Sequence, residues 1–503
     1  MTLDPAYRVA AVDSRLFGSF AEHMGRCVYT GLHEPGHPTA DDRGFRGDVL
    51  ELVREMGPTI VRYPGGNFVS GYRWEDGVGP LEDRPRRLDL AWRSIEPNTF
   101  GVDEFAAWCI EAGVEPMMAV NLGTRGVAEA LDLLEYCNHP GGTLLSDLRR
   151  KNGVEQPHGV RVWCLGNELD GPWQIGHKSA AQYGRLAAET ARAMRRMDPD
   201  LELVACGSSN TAMPTFATWE ATVLEECYES VDYVSLHNYY DPLIQSREDF
   251  LASAVDLDRA IDALVATADH VGARLKSQRR LRLSVDEWNV WYQSAWDETS
   301  MGDWVEARRL IEDEYDVTDA AVVGSLLITL LNHADRVGIA CQAQLVNVIA
   351  PIRTEPGGPA WRQTIFHPFA QAAALARGTV LRVEPTCPTY PTTGLGDVPF
   401  LHATATHDEE TGAVTILAVN RSTTEQLDLT VHVRAFPGHR VTMCSTLSAS
   451  DPASRNTAAT PDAVLPRANP DVQLGDGRLQ VALPPVTWNV VRLEPDARTS
   501  TTP

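Results

Sequence analysis

The sequence predicts a (β/α)8 TIM barrel followed by a C-terminal antiparallel β-sandwich of the jelly-roll type. From residue 16 to about 380, short β-type runs alternate with helical stretches, the pattern that forms parallel strands joined by helical crossovers. Eight such runs can be counted, which is the number that closes a barrel. Beyond that point the chain changes to alternating apolar and polar residues, so we expect an N-terminal segment at 1–15, a barrel at 16–380 and a sandwich at 381–503.

Each predicted barrel strand is a short apolar run that ends at polar or glycine-containing sequence. The eight runs are Leu16–Phe20, Thr59–Arg62, Pro116–Asn121, Val160–Leu165, Glu202–Cys206, Val231–Leu236, Leu281–Val285 and Gly338–Gln342.

The helices between these runs carry their own signals. Ser179 is a typical N-cap, and apolar residues recur at helical spacing from Tyr183 to Met194. The stretch Ala320–Leu331 is far shorter than the roughly 20 residues that span a bilayer, so it predicts a buried helix. A last helix opens at His367-Pro368 and should end at Gly378.

Strand patterns dominate the C-terminal part of the chain. Alternating residues over Leu401–Thr406, followed by a Gly412 turn, predict a hairpin with Val414–Val419. The stretch Ser445–Gly477 is rich in Ser, Ala, Asp and Pro and is interpreted as a long loop. The further predicted strands are Leu427–Val433, Arg440–Met443, Leu479–Leu483 and Trp488–Leu493.

Composition excludes several classes of protein. With 44 Lys and Arg against 68 Asp and Glu, the net charge of -24 argues against a nucleic-acid partner, which must neutralise phosphates. The N-terminus lacks the apolar stretch of a signal peptide, and nothing predicts a membrane segment. The 9 cysteines are odd in number and scattered, so we expect reduced thiols and a cytoplasmic location.

Candidate functional residues follow the predicted strands, where barrel enzymes place their chemistry. Glu168 and Glu287 lie 119 residues apart, close to three βα units of about 40, so they should face each other across one barrel mouth. Such a pair suits glycoside hydrolysis, in which one carboxyl protonates the leaving oxygen and the other attacks the anomeric carbon or activates water. The alternative is that each Glu forms a structural ion pair with an Arg.

The neighbouring side chains suit a carbohydrate. Sugar rings need aromatic faces, which Trp92, Trp173, Trp288 and Trp291 could supply, although Trp288 is better explained as a core residue. Asn67 and Asn167 could bind hydroxyl groups or, alternatively, satisfy loop backbone.

Motifs for other chemistries are missing. The histidines, His237 among them, have no metal-type spacing and are interpreted as structural or hydroxyl-binding. The sequence contains no phosphate-binding glycine motif and no GxSxG. We therefore expect no metal and no organic cofactor.

Several segments, in order along the barrel, resemble the intracellular α-L-arabinofuranosidases of glycoside hydrolase family 51. They are Phe20–Arg26, Arg62–Phe68, Trp74–Pro80, Trp163–Glu168, Gly171–Lys178, Asp286–Tyr292 and Ala343–Asn347.

The resemblance implies a retaining mechanism in which Glu168 is the general acid/base and Glu287 the nucleophile. It also implies that Tyr239 orients the nucleophile, with Tyr240 as the alternative. The implied substrate-binding residues, which contact the hydroxyls or flank the sugar, are Glu22, Asn67, Trp92, Asn167, His237, Tyr239, Trp291 and Gln344.

The expected activity is exo-acting hydrolysis of terminal arabinofuranosyl residues from arabinose-containing oligosaccharides. One alternative is a retaining glycosidase of the same fold that acts on β-xylosides or β-glucans, and another is a sugar-binding protein without catalysis. The resemblance further implies a homo-oligomer, a hexamer, and an N-terminal segment that joins the sandwich. Linkage preference stays open.

Overall fold

Eight parallel strands close into a barrel in the computed structural model, which describes residues 1–297 and 301–496. Neighbouring strands of the barrel follow chain order, and the last pairs with the first. Barrel strands 1 to 8 are Gly18–Phe20, Ile60–Tyr63, Glu115–Ala119, Val162–Cys164, Glu202–Ala205, Tyr233–Tyr240, Arg282–Val290 and Val337–Ala343.

Helices follow each barrel strand, and their buried faces pack around the barrel. The α-helices are Gly47–Met56, Val102–Ala112, Val127–Asn138, Leu144–Lys151, Ala180–Met197, Thr218–Cys227, Arg247–Leu251, Ser253–Leu275, Val317–Asn332 and Phe366–Leu375. Ser179 caps one of them as predicted, since its hydroxyl accepts the Gln182 N–H. Residues 317–331 are buried, in agreement with the predicted core helix. None of the helices in the described part of the chain is long and apolar enough to cross a membrane.

All eight predicted runs overlap observed strands, but several limits were wrong. Residues Ser14–Leu16 form a 3-10 helix, so the first strand begins later, at Gly18. Barrel strands 6 and 7 run on to Tyr240 and Val290 because their polar residues keep pairing with each other, for example Glu287 with His237. The polar residues expected just after these strands therefore lie on the strands themselves.

The final helix also ends earlier than predicted. Its last residue is Leu375 and its cap is Ala376, whereas Gly378 (φ 78°) instead forms the turn into the next strand, Thr379–Leu381. This strand crosses the predicted limit at residue 380.

The C-terminal part is an antiparallel, strand-rich domain of two sheets. One sheet has seven strands in the order Arg8–Ala11, Thr379–Leu381, Leu401–His407, Val414–Asn420, Thr487–Pro495, His439–Leu447 and Arg467–Ala468. The other has three in the order Leu427–His432, Arg478–Leu483 and Val472–Gly475. Apolar residues from both sheets, such as Ile416 and Val481, form one shared core.

The prediction of a single long loop over Ser445–Gly477 was wrong. The strand His439–Leu447 continues into it, and two short strands, Arg467–Ala468 and Val472–Gly475, lie within it. Arg467–Ala468 has only two residues, both exposed, and Val472–Gly475 only four, so any apolar alternation, such as that of Val472 and Leu474, is too short to predict a strand.

The N-terminal segment contributes to this strand-rich domain. Arg8–Ala11 pairs antiparallel with Thr379–Leu381, and Leu3 is buried in the core that the two sheets share. The other face of the seven-stranded sheet packs on the helix Val317–Asn332, where Trp488 lies against Gly324.

Three small hairpins decorate the barrel and the strand-rich domain. Their strands are Arg87–Asp89 with Ser94–Glu96, Ile352–Thr354 with Ala360–Arg362, and Thr389–Thr392 with Gly396–Pro399. All nine cysteines are free thiols, and seven of them are buried.

Candidate active site

A cavity of about 1100 Å³ opens at the carboxyl ends of the barrel strands. Most of the predicted site residues line it: Glu22, Asn67, Trp92, Glu168, Tyr239, Glu287, Trp291 and Gln344. Two others, Asn167 and His237, are buried behind this lining and contact it through hydrogen bonds. The cavity thus brings together side chains from distant parts of the chain, as the barrel topology predicts.

The two carboxylates expected to face each other do so. Glu168 lies in the turn after barrel strand 4, with its backbone in the left-handed region (φ 44°), a conformation uncommon for a residue with a side chain. Glu287 projects from barrel strand 7. One oxygen of Glu168 lies within 4.8 Å of one oxygen of Glu287.

Two donors hold the carboxylate of Glu287. The Arg62 guanidinium donates from Nη1 to Oε1 over 2.6 Å, and the Tyr239 hydroxyl donates to Oε2 over 2.8 Å. Tyr240 instead donates to Asp256, away from this pair. Of the two tyrosines that the sequence left open, Tyr239 is therefore the one in contact with Glu287.

Glu168 lies in a different environment. Its Oε1 is 2.9 Å from Nδ1 of His237, and the indole N–H of Trp173 donates to Oε2 over 3.1 Å. Burial, and then the negative charge of Glu287, raises the pKa of Glu168 above its usual value, although the contacts with His237 and Trp173 oppose that shift. The two carboxylates therefore have unequal surroundings, since Glu168 contacts His237 and Trp173 whereas Glu287 contacts Arg62 and Tyr239.

His237 links Glu168 to a third buried carboxylate, Asp286. Its Nε2 lies 3.1 Å from Asp286 Oδ1. Burial disfavours the imidazolium, but the surrounding carboxylates, led by Glu287, outweigh burial and raise the pKa of His237 to about 10. At neutral pH the Glu168–His237 pair therefore holds at least one proton beside the cavity.

Asp286 itself stays ionised. Burial disfavours its charge, but Arg62 and His237 overcome that effect and hold the pKa of Asp286 below its usual range. Arg62 Nε lies 3.6 Å from Asp286, so one guanidinium lies between two carboxylates, those of Asp286 and Glu287.

Glu22 organises the side of the cavity formed by barrel strand 1. Its Oε1 accepts the Phe68 backbone N–H (3.0 Å) and the Trp92 indole N–H (2.9 Å), and its Oε2 accepts from Gln344 (3.1 Å). Burial, and the nearby charge of Glu287, raises the pKa of Glu22 to about 8 despite the opposing Phe68 contact. Near neutral pH this carboxyl can therefore both donate and accept hydrogen bonds.

The glycine at position 66 lets backbone approach this cluster. A Cβ atom there would lie 3.2 Å from Glu287 Oε1, 3.3 Å from Glu22 Oε2 and 3.5 Å from Asn167 Nδ2. The amide Nδ2 of Asn167 is buried without a partner, while its oxygen accepts from Arg62 over 2.7 Å. An unpaired buried donor beside two carboxylates is suited to a ligand hydroxyl.

Aromatic rings flank the cavity. Trp92 and Trp291 line it, and Trp291 meets Tyr239 edge to face with ring centroids 5.3 Å apart. Trp173 also lines it and is 49% exposed, whereas Trp288 is fully buried in the core, as the sequence favours.

Sequence reasoning gave no role to two residues that hold the carboxylates in place, Arg62 and Asp286. The signal for Arg62 is a charged residue inside an otherwise apolar run, since a buried strand position tolerates Arg only where carboxylates pair with it. Asp286 carries a similar signal directly before Glu287 on barrel strand 7.

Within the described residues, the cluster of Glu168, His237 and Glu287 is close enough to hold a metal ion. Both ring nitrogens of His237 already face carboxylates, and the Arg62 guanidinium contacts Glu287. A cation placed there would be repelled by Arg62, so the donor set suits proton transfer better than metal binding.

Facing carboxylates at the mouth of a (β/α)8 barrel are the arrangement that glycoside hydrolases use. A family model described as the α-L-arabinofuranosidase 1 domain matches residues 52–259. A second, described as the α-L-arabinofuranosidase C-terminal domain, matches residues 286–487.

Similar proteins extend the match along nearly the whole chain. A Streptomyces lividans protein named intracellular exo-α-(1→5)-L-arabinofuranosidase is 62% identical over 98% of this chain and 74% of its own length. A Bacillus subtilis protein of the same type is 51% identical over 98% of both chains. A Bifidobacterium longum relative, 51% identical over 98% of this chain and 97% of its own length, is named exo-α-(1→6)-L-arabinofuranosidase.

Among solved structures, a family 51 α-L-arabinofuranosidase from Bifidobacterium longum has a TM-score of 0.95 at 48% identity, covering 98% of this chain and 99% of that one. A bifunctional glucanase-xylanase has a TM-score of 0.58 at 11% identity over 98% of this chain and 99% of its own, a likeness that extends to the fold alone. The chain belongs to the α-L-arabinofuranosidases of glycoside hydrolase family 51.

Proposed function

We propose that this protein is a retaining, exo-acting α-L-arabinofuranosidase that removes terminal arabinofuranosyl residues from arabinose-containing oligosaccharides. The observation that carries the proposal is the close pair of unequal carboxylates, Glu168 and Glu287, with oxygens within 4.8 Å. Carboxyl groups about 5–5.5 Å apart allow direct attack, whereas inverting enzymes need about 6.5–9.5 Å to admit a water. The identity of the sugar, arabinofuranose, is taken from membership of the family.

In the first step, Glu287 attacks the anomeric carbon and the glycosidic C–O bond breaks. Arg62 and Tyr239 hold the Glu287 carboxylate in position through charge-assisted hydrogen bonds. Glu168 gives its proton to the departing oxygen, so the leaving sugar departs as an alcohol. The product of this step is an arabinofuranosyl ester of Glu287.

In the second step, water attacks the same carbon. Glu168, now ionised, takes a proton from that water, and the bond to Glu287 breaks to release arabinose with its original anomeric configuration. His237 contacts Glu168 and carries a proton of its own near neutral pH, so it stabilises the ionised form in which Glu168 acts as the base of this step.

The remaining residues would bind the sugar. Glu22, Gln344 and the unpaired amide of Asn167 present hydrogen-bonding groups around the position next to Gly66. Trp92 and Trp291 offer aromatic faces at the cavity wall. This combination of polar groups and ring faces suits a small, hydroxyl-rich ligand.

The first experiment is steady-state hydrolysis of an aryl α-L-arabinofuranoside, with the matching β-D-xyloside and β-D-glucoside as comparators. We expect a clear preference for the arabinofuranoside. A preference for either comparator would contradict the proposed sugar, and a folded sample inactive on all three would contradict the enzyme proposal. Since the relatives are named for both linkages, α-(1→5)- and α-(1→6)-linked arabinobioses belong in the same assay.

Stereochemistry is tested separately by NMR of the first-formed product. Retention requires the α-arabinofuranose, or an α-arabinofuranoside when methanol replaces water as the acceptor. Initial formation of the β anomer would contradict the double displacement.

We further propose an intracellular location, following the names of the bacterial relatives. From the resemblance to the family alone, we also propose assembly into a homo-oligomer, a hexamer. The division of the chain at residues 15 and 380 is likewise a proposal. Light scattering during size-exclusion chromatography measures the assembly, and a monomeric mass at micromolar concentration would contradict it.

A further inference from the structure

The active-site cavity is lined by several residues to which the mechanism gives no role. Its volume, about 1100 Å³, exceeds the roughly 300–1,000 Å³ typical of sites that enclose a whole small ligand. An exo-acting enzyme encloses one terminal sugar, so the remaining space lies where the rest of the chain must leave. The lining residues without a catalytic role include residues after barrel strand 6 and, unexpectedly, residues of the strand-rich domain, and we call the part of the cavity beside them the outer cavity.

We infer that the hairpin tip Thr393–Leu395 of the strand-rich domain forms one wall of a distal subsite that binds further neutral sugar units of the leaving chain. This inference rests on the proposed function. The tip lines the same cavity as Glu168 and Glu287 although it lies more than 100 residues beyond Glu287 in the chain. Ile244 and Gln245 of the loop after barrel strand 6 supply further lining of the same cavity.

The hairpin is fixed against the barrel at this position. Asp249 accepts both the backbone N–H of Thr393 (2.7 Å) and its hydroxyl (2.8 Å). Beneath this contact, Tyr390 and Val398 pack with Ala252 in a small apolar core. Arg259 also donates to the carbonyl of Leu395 over 2.8 Å, so three contacts hold the tip in one place, which is what a preformed sugar-binding wall requires.

The lining indicates the chemistry of the sugars. Among the described residues of the cavity wall there is no Lys, Arg or His, and six carry carboxyl groups: Glu22, Glu168, Asp241, Asp249, Asp256 and Glu287. Asp249, whose pKa lies below its usual value because the Thr393 backbone and hydroxyl donate to it, stays ionised and disfavours an anionic unit such as a uronate, whereas neutral hydroxyls can donate to these acceptors. Exposed apolar surface on Ile244 and Trp173 suits the C–H faces of sugar rings.

Gly394 provides the sharpest test. A Cβ atom added there meets nothing within 4 Å, and its backbone needs no glycine, so Gly394→Tyr should fold and place a bulky side chain at the part of the tip that lines the cavity. Gly475, in the same domain, is equally open and lies outside the cavity lining, so Gly475→Tyr is the matched control.

The assay compares kcat/KM on the aryl arabinofuranoside with kcat/KM on neutral arabino-oligosaccharides of two to four units. For the unsubstituted protein we expect kcat/KM to rise with chain length. Gly394→Tyr should lower kcat/KM on the longest substrate by about tenfold and leave the aryl substrate within about twofold. The Gly475→Tyr control should match the unsubstituted protein.

A second variant, Asp249→Ala, removes the two hydrogen bonds that hold Thr393 and should weaken the same length dependence. A uronate-bearing oligosaccharide of equal length should be a poorer substrate than its neutral counterpart. The distal subsite is refuted if kcat/KM is independent of chain length, or if Gly394→Tyr slows short and long substrates equally. Either result, obtained with activity on the aryl substrate intact, leaves the proposed arabinofuranosidase function standing.

Discussion

Tyr239 and Tyr240 are neighbours in sequence whose hydroxyls serve different carboxylates. Tyr239 donates to Glu287, and Tyr240 donates to Asp256. Hydrogen bonds to charged groups contribute about 1.5–3 kcal/mol, so Tyr239→Phe should lower kcat by about 10- to 150-fold. Tyr240→Phe is the matched control and should change kcat far less in the same hydrolysis assay. Equal losses would mean that the Tyr239 contact with Glu287 has no special role.

Removal of Glu168 should affect substrates according to their leaving groups. General acid catalysis contributes about 10²- to 10⁴-fold, so Glu168→Ala should lose about that much kcat/KM on an arabino-oligosaccharide. An acidic phenol departs as its phenolate without needing a proton, so the variant should lose much less kcat/KM on an aryl substrate with such a leaving group. Azide, which needs no general base, should restore turnover of the aryl substrate and yield an arabinosyl azide. Loss of the same size on both substrates would contradict the role.

The pH profile tests the same proton. Burial and the charge of Glu287 raise the pKa of Glu168, and only its protonated form can donate to the leaving oxygen. The kcat/KM of the unsubstituted protein on oligosaccharides should therefore fall as pH rises through that pKa. Glu168→Ala, measured on the activated aryl substrate, should lack this basic limb. A basic limb that persists in the variant would assign the titration to another group.

The site residues differ in how far sequence could predict them. Glu168 and Glu287 follow from the spacing of strand ends, and Glu22 and Gln344 from the family resemblance. Arg62 was missed because its role depends on Asn167 and Glu287, which lie 105 and 225 residues away in the chain. Partners so distant become visible only when the barrel has closed.

The presence of the helices and strands could be predicted from the sequence, but the residues at which they begin and end could not. Barrel strand 7 was predicted to end at Val285, since polar residues follow, yet it runs to Val290 with nearly every residue buried. The added part of the strand pairs with barrel strand 6, and the side-chain amide of Asn289 donates to the carbonyls of Ala343 and Ile349. These contacts satisfy polar groups that would otherwise be buried without partners. Hydrogen bonds to residues distant in the chain can therefore extend a strand beyond the limit that the local hydropathy pattern predicts.

The contact between the helix Val317–Asn332 and the seven-stranded sheet leads to a stability prediction. A Cβ atom on Gly324 would overlap the Trp488 ring, so Gly324→Ala should destabilise the fold by about 1–3 kcal/mol through overpacking. In a Trp488→Leu background the same substitution should cost less, since the ring is gone. Chemical denaturation of the four proteins of this cycle measures the coupling. Equal costs in both backgrounds would show that the ring is not the obstacle.

At the scale of the whole molecule, the first residues of the chain complete a domain that forms at its other end. The backbone N–H of Leu3 donates to the carbonyl of His432 over 2.9 Å, and the Leu3 side chain is 1% exposed within the core that both C-terminal sheets share. Arg8–Ala11 then adds an edge strand to the larger sheet. The barrel is therefore inserted between two parts of one strand-rich unit.

This arrangement predicts that a small change near the N-terminus weakens the distant C-terminal domain. Leu3→Ala removes a buried side chain and should lower the free energy of unfolding of that domain by about 2–5 kcal/mol. Tyr7→Ala, at a side chain 64% exposed, is the control, and its free energy of unfolding should stay within about 0.5 kcal/mol of that of the unsubstituted protein.

Hydrogen exchange followed by peptide mass analysis localises the effect: in Leu3→Ala, protection should fall in Leu427–His432 and Arg478–Leu483 before it falls in the barrel strands. Hydrolysis measured well below the unfolding transition should be unchanged, because Leu3 packs in a core separate from the one around Glu168 and Glu287. If exchange rises equally in barrel and sheets, the two units unfold as one, and the N-terminal segment stabilises the whole chain rather than the strand-rich domain alone.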